Sequence, residues 1–179
     1  DPVDAAAVDA FVTANPDWPL ATVLRRRAEE ALPETWSPAA SVALFDRRPP
    51  LTPYGHYRLA VALQALGRHQ RANEVARTAW RRGDDFAPEV ESAFGRAFSS
   101  ALTADDHRRR LDALLWSGRF TSARRMYGVI DPGHRALAEA RIGLRLRRSN
   151  VDAAIAAVPA TLASDPGLIY ERVRWRRRD

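Results

Sequence analysis

The chain has 179 residues, of which 46% are hydrophobic and none is cysteine. This length can bury a substantial core, the apolar fraction is too high for a disordered protein, and the lack of cysteine excludes disulfides and cysteine-bound metals. Its 28 basic residues are all arginine and outnumber the 22 acidic residues, while no apolar run is long enough to span a membrane.

Proline preceded by a capping side chain marks the start of most predicted helices. Ser37, Thr52, Asp131 and Asp165 each stand directly before a proline, and Asp17 stands two residues before one. Together with the 3.6-residue apolar periodicity, these starts predict an all-α chain with no strands. The predicted helices lie near residues 4–14, 18–32, 38–46, 53–66, 69–82, 88–99, 104–117, 120–129, 133–147, 151–157 and 166–177.

A short pattern of small residues recurs three times between these helices. Its copies begin at Gly67, Gly118 and Ser149, and each has an alanine five residues later. A small residue at the bend lets two helices fold back on each other, and the alanine leaves room for the neighbouring backbone. The pattern predicts an α-solenoid, a superhelix of antiparallel helix pairs similar to tetratricopeptide arrays. We expect one domain over residues 1–179, as a piece of a longer array.

Catalytic and metal-binding patterns are missing from the sequence. No histidines have the i, i+4 spacing of a zinc helix, and no glycine-rich phosphate loop or nucleophile elbow occurs. The sequence therefore predicts no catalytic residue, no metal and no cofactor. His69 is expected to pack inside, and His107 and His134 to be exposed in first helical turns. Glu139, in an apolar stretch, leaves two alternatives open: a catalytic carboxyl or an ion pair with an arginine.

Positive charge is concentrated in the second half of the chain. Residues 101–179 contain 16 arginines and 9 acidic residues, whereas residues 1–100 contain 12 and 13. This excess of positive charge suits the second half of the chain to binding an anionic polymer. The arginine-rich tail at residues 172–178 is interpreted as a solvated helix face with Trp175 turned inward, so nucleic acid is not the expected partner. The predicted binding residues are Arg108, Arg109, Arg119, Arg124 and Arg125.

Several segments, in this order, resemble the N-terminal region of soluble lytic murein transglycosylases. The resemblance covers nearly the whole chain and is most distinctive at residues 102–119. The segments are 16–20 (PDWPL), 24–32 (LRRRAEEAL), 48–52 (RPPLT), 79–84 (AWRRGD), 102–119 (LTADDHRRRLDALLWSGR), 131–141 (DPGHRALAEAR) and 165–172 (DPGLIYER).

The resemblance implies a ring-like α-superhelix joined to a lysozyme-like domain. In that family the second domain cleaves the MurNAc–GlcNAc β-1,4 bond of peptidoglycan and leaves a 1,6-anhydro end, using one catalytic glutamate. No glutamate here lies in the family's Glu-Ser motif, so we expect this chain to be the non-catalytic, substrate-positioning superhelix of such an enzyme. Peptidoglycan would be its partner, through the parent protein.

The expected location is the bacterial periplasm, after removal of a leader. This expectation rests on the resemblance, the absence of cysteine and a first residue that is not methionine. Two other hypotheses stay open from sequence. One is a free-standing tetratricopeptide-like adaptor that binds a protein or peptide in its groove, and the other is a nucleic-acid binder that uses the basic half.

Overall fold

A computed structural model describes residues 5–33 and 35–177, which form eleven α-helices and contain no strand. The all-α prediction is therefore confirmed for this part of the chain. Asp4, the predicted start of the first helix, and Arg178 lie outside the described residues. The helices are α1 (Ala5–Ala14), α2 (Ala21–Glu30), α3 (Pro38–Arg47), α4 (Pro53–Ala65), α5 (His69–Arg81), α6 (Pro88–Ala97), α7 (Ala104–Trp116), α8 (Phe120–Arg125), α9 (Pro132–Arg145), α10 (Val151–Ala156) and α11 (Pro166–Arg176), with short 3-10 turns at Met126–Val129 and Ala160–Leu162.

Side-chain caps begin four of these helices as predicted. Ser37, Thr52, Asp131 and Asp165 each accept a hydrogen bond from the backbone N–H three residues later, and a proline follows each of them. These bonds satisfy N–H groups that have no partner inside the helix. The caps therefore define where α3, α4, α9 and α11 begin.

The start of α2 was predicted incorrectly. The sequence placed it near residue 18 with Asp17 as the cap, but the helix begins at Ala21, and its N-cap Leu20 makes no side-chain bond. The chain turns first: Trp18 N–H donates to the Asn15 carbonyl at 3.2 Å, and Ala21 N–H donates to the Trp18 carbonyl at 3.0 Å. The proline at position 19 therefore lies in a turn rather than in the first turn of a helix.

Two of the three predicted bends are glycine turns. Gly67 and Gly118 have φ of 72° and 73°, in the left-handed region, and they end α4 and α7. The third bend differs, because the left-handed residue after α9 is Arg147 (φ 53°) and not Ser149. The next helix, α10, thus begins four positions after the left-handed residue, at Val151, whereas it begins two positions after it in the other copies.

The described residues form two compact units. The first contains the residues up to Ala79 and also Phe86–Leu102, and the second contains Trp80–Asp85 and the residues from Thr103 onward. The single domain expected from sequence stays a prediction. Fully buried side chains in the first unit include Leu63, Phe94 and Phe98. In the second unit, α9, α10, α11 and the segment after α10 contribute to one cluster, formed by Leu137, Ala140, Leu144, Val151, Val158 and Leu168.

The alanines of the small-residue pattern are core residues in two copies. Ala72 and Ala123 have no exposed surface, as the prediction of close helix contacts requires. Ala154, in the third copy, is only partly buried. None of the described helices combines the length and the hydrophobicity that a bilayer crossing needs.

Replacing Gly83 by alanine is expected to lower the free energy of unfolding more than the same change at Gly118. Both glycines have positive φ, 67° and 73°, where a β-carbon costs roughly 1–2 kcal/mol. At Gly83 the new carbon would also lie 2.5 Å from Ala113 Cβ, whereas nothing lies within 4 Å at Gly118. This overlap should add roughly 1–3 kcal/mol. Equal losses for Gly83→Ala and Gly118→Ala in urea unfolding would contradict this packing.

Candidate functional site

Two of the five predicted binding residues, Arg108 and Arg109, line a cleft between α7 and α9, within the second unit. We call it the arginine cleft; its volume is about 280 Å³. Leucines form its floor, and charged side chains stand along both walls. Its lining residues are Asp105, Arg108, Arg109, Leu111, Asp112, Leu115, His134, Leu137, Arg141 and Asp165.

One wall of the arginine cleft is the exposed side of α7. Arg109 Nε donates to Asp105 Oδ2 at 2.7 Å, an i, i+4 pair in which both side chains are at least half exposed. Such a pair is weak in water. Arg108 is exposed and has no hydrogen-bond or ion-pair partner among the described residues. Arg108 is therefore the cation of this wall that an added anion can reach without displacing a carboxylate.

The opposite wall contains a buried arginine. Only 4% of the Arg141 side chain is exposed, and its Nη1 lies 2.6 Å from Asp112 Oδ1 and 3.6 Å from Asp165 Oδ1. Its guanidinium carbon is 5.2 Å from the centre of the Trp116 ring. Its buried Nε has no hydrogen-bond partner within the described chain. Arg141 is thus held in place by two carboxylates and a ring, while its buried Nε donor is unused.

The guanidinium of Arg141 depends on a glycine at the start of α11. A β-carbon added at Gly167 would overlap the guanidinium group directly, so only glycine leaves the space that Arg141 occupies. The Asp165 cap, whose Oδ1 accepts from Leu168 N–H at 2.8 Å, positions this first turn. The first turn of α11 and the buried guanidinium of Arg141 therefore depend on each other for their positions.

His134 lies on the α9 side of the cleft and is half-buried rather than exposed as predicted. Its Nδ1 donates to Asp131 Oδ2 at 2.8 Å, and its backbone N–H donates to Asp131 Oδ1 at 3.0 Å. The hydrogen bond from the His134 ring, with that from its backbone, holds the pKa of Asp131 below its ordinary value. This carboxylate both caps α9 and orients the imidazole.

The other three predicted arginines lie beside carboxylates that do not line the arginine cleft. Arg119 and Arg125 each have a nitrogen near Asp85, at 3.6 and 3.7 Å. Arg124 binds Glu139 through two nitrogens, at 2.8 and 3.1 Å. The structure therefore brings only Arg108 and Arg109 into the arginine cleft. The binding role of all five stays a prediction.

Glu139 is the acceptor of a small polar cluster. Besides Arg124, it accepts from the Tyr127 hydroxyl at 2.7 Å and from Arg148 Nη1 at 3.2 Å. The hydrogen bond from Arg124 is the main cause that lowers the pKa of the Glu139 carboxyl below its ordinary value. Burial, together with the nearby Glu139, raises the pKa of Tyr127. Of the two alternatives for Glu139, the arrangement matches an ion pair.

One buried glutamate was missed by sequence reasoning. Glu29 is 5% exposed and accepts bonds from the backbone N–H groups of Leu51 and Thr52. The Thr52 hydroxyl donates to the same carboxylate at 2.8 Å. Glu29 therefore ties α2 to the start of α4. No local pattern signals this, because the donors are backbone groups of a distant segment.

Two histidines also differ from expectation. His69 is exposed rather than packed, and His107 is half-buried and accepts a hydrogen bond from the Trp80 indole at 3.1 Å. Burial lowers the pKa of His107. Within residues 5–33 and 35–177, no three potential ligands among His, Asp and Glu are grouped so as to hold a metal ion.

No protein-family model, no characterised protein and no solved structure matches this chain. The geometry of its own residues and the resemblance in its sequence are therefore the basis for a proposed function.

Glu139→Gln is expected to lower stability at about pH 7, by up to roughly 1 kcal/mol, because the pair with Arg124 is more than one-third exposed. The folded-state pKa of Glu139 is below 4.5, so its contribution is present above that pH and disappears as pH falls through the folded value. The melting temperatures of the wild type and of Glu139→Gln should thus converge in acid. The control Glu30→Gln, at an exposed position, should change the melting temperature little at any pH. A loss of stability in Glu139→Gln that does not depend on pH would contradict the ion pair.

Proposed function

We propose that the chain is a non-catalytic helical module of a peptidoglycan lytic transglycosylase, and that it holds an anionic part of peptidoglycan. In this proposal the helices stack as a tetratricopeptide-like superhelix in the periplasm. A separate domain of the parent enzyme cleaves the MurNAc–GlcNAc β-1,4 bond to 1,6-anhydro ends. The resemblance in the sequence supports the choice of enzyme.

The observation that carries the proposal is the arginine cleft. Its leucine floor and its unpaired Arg108 offer one apolar and one cationic surface side by side. The peptides of peptidoglycan carry carboxylates, and a guanidinium can bind a carboxylate through two parallel hydrogen bonds. Arg141, held beside Asp112 and Asp165, places a second guanidinium at the opposite wall.

The state of Glu139 supports a non-catalytic role. A general acid that cleaves a glycosidic bond must keep its proton near neutral pH, so its pKa must be raised. The Arg124 hydrogen bond instead lowers the pKa of Glu139, and Arg148 adds a second cation. This carboxylate is suited to holding α8 against α9.

Arg108→Ala is expected to weaken binding of the protein to purified sacculi about two- to fivefold at low salt. The physical reason is the loss of the one cation of the α7 wall that is not bound to a carboxylate. Binding of both proteins should fall as salt rises, since the charges are exposed. A co-sedimentation assay at several salt concentrations measures this.

The matched control is Arg176→Ala, which removes the same charge from an exposed position of α11 outside the cleft. Equal loss in both variants would mean that only net charge matters and would remove the arginine cleft from the proposal. Binding that does not respond to salt, or no binding at low salt, would contradict an electrostatic role altogether. Specific capture of a protein ligand instead would favour the adaptor hypothesis.

Incubation of sacculi with this chain is expected to release no 1,6-anhydromuropeptides, whereas a lytic transglycosylase of known activity releases them in parallel. The reason is that Glu139, the glutamate for which the sequence left a catalytic role open, is an ionised partner of Arg124. Mass spectrometry of the soluble products measures the outcome. Anhydro products from this chain would overturn the non-catalytic role, and loss of those products in Glu139→Gln would then identify the acid.

A further inference from the structure

A second cleft lies in the first unit, between the segment before α3 and the helices α3 and α4. Its volume is about 390 Å³, within the range of about 300–1,000 Å³ that is typical of small-molecule sites. Three aromatic side chains, Trp36, Tyr54 and Tyr57, line it together with Ser41 and Arg58. We call it the aromatic cleft; it shares no residue with the arginine cleft.

The aromatic cleft is preformed by contacts behind its rings. Tyr54 and Tyr57 lie three residues apart on α4 and so share one face of that helix. The Tyr54 hydroxyl donates to the Leu32 carbonyl and accepts from Arg58 Nη1, both at 3.3 Å. The Tyr57 ring lies 5.9 Å from the ring of the fully buried Phe94. Both tyrosines are therefore held in place while remaining half-exposed.

Ser41 provides the second, independent observation. Only 1% of this residue is exposed, yet its hydroxyl has no hydrogen-bond partner in the described structure, and the residue lines the cleft. Buried hydroxyls are nearly always hydrogen-bonded, because leaving one unpaired is costly. A ligand that both donates and accepts at this position would satisfy it.

The spacing of the tyrosine rings selects the class of ligand. Their centroids are 6.3 Å apart and the rings are inclined by 41°. A prolyl ring clamped between two aromatic faces needs about 7–8 Å, two contacts of about 3.5–4 Å. The tyrosine rings are therefore too close together to clamp a prolyl ring between them, which disfavours a proline-rich peptide.

We propose that the aromatic cleft binds a neutral pyranose sugar. A pyranose has one face of C–H groups that packs on aromatic rings and a rim of hydroxyls that both donate and accept. In the cleft the C–H face lies on Tyr54 and Tyr57, and a rim hydroxyl pairs with Ser41. This inference rests on the first unit alone, whereas the arginine cleft belongs to the second, so either proposal can fail without the other.

The test is an NMR titration of the chain with two probes, the β-1,4 trimer of N-acetylglucosamine and maltotriose. We expect amide shifts at Ser41 and along the start of α4, with a shift of the Trp36 indole, and none in the second unit. Ser41→Ala should weaken binding of whichever of the two sugars binds by about two- to tenfold. It should not lower the melting temperature, because the hydroxyl has no partner before the sugar binds. Tyr57→Leu should weaken it roughly tenfold.

The matched control is Tyr170→Leu, an exposed tyrosine of the second unit, which should leave the affinity unchanged. If Tyr57→Leu does not fold, Trp36→Leu takes its place. No shift with either sugar at about 10 mM, or shifts with a proline-rich decapeptide but not with sugars, would overturn the proposal. So would a Ser41→Ala variant that keeps full affinity or melts at a lower temperature than the wild type.

Discussion

The buried guanidinium of Arg110 holds the turn that follows α5 against α7. The residue has no exposed surface, and it donates to the carbonyl oxygens of Trp80 and Asp84, at 3.3 and 3.2 Å. Its guanidinium carbon is 4.4 Å from the centre of the Trp80 ring. A charge removed from water is costly unless it is bonded, so the turn has to keep its carbonyl groups aimed at this position. The carboxylate of Asp85, beside which Arg119 and Arg125 lie, is positioned as a consequence.

The first turn of α7 is made rigid in the same region. Asp106 is fully buried and accepts from the backbone and the hydroxyl of Thr103, both at 2.8 Å, and from Arg81. Burial alone would raise its pKa, but these hydrogen bonds leave the Asp106 pKa below its ordinary value. One carboxylate thus closes the capping box of α7 and binds the end of α5. These bonds hold the start of the helix that carries Arg108 and Arg109 on the wall of the arginine cleft.

The two clefts differ in how their polar groups are satisfied. In the arginine cleft most charges are already paired, and a ligand meets Arg108 without competition but has to share Arg141 with Asp112 and Asp165. In the aromatic cleft the unsatisfied group is the neutral hydroxyl of Ser41. The sequence pointed to Arg108 through the charge of its half of the chain. Nothing in it pointed to Arg141 or Ser41, since an arginine and a serine in helical patterns are ordinarily solvated.

By itself the sequence determined the helices, because capping and periodicity act within a few residues. Ser37 and Thr52 each bond a backbone N–H only three residues away, which a linear pattern can show. Arg147 marks the limit of this local reasoning, since its left-handed conformation was not signalled by a glycine. Only the tertiary structure decided the roles of side chains with distant partners. Glu29 accepts hydrogen bonds from backbone groups 22 and 23 residues away, and Arg124 binds the carboxylate of Glu139, 15 residues later in the chain. Such pairs depend on which helix faces come together, and packing, rather than local chemistry, determines that.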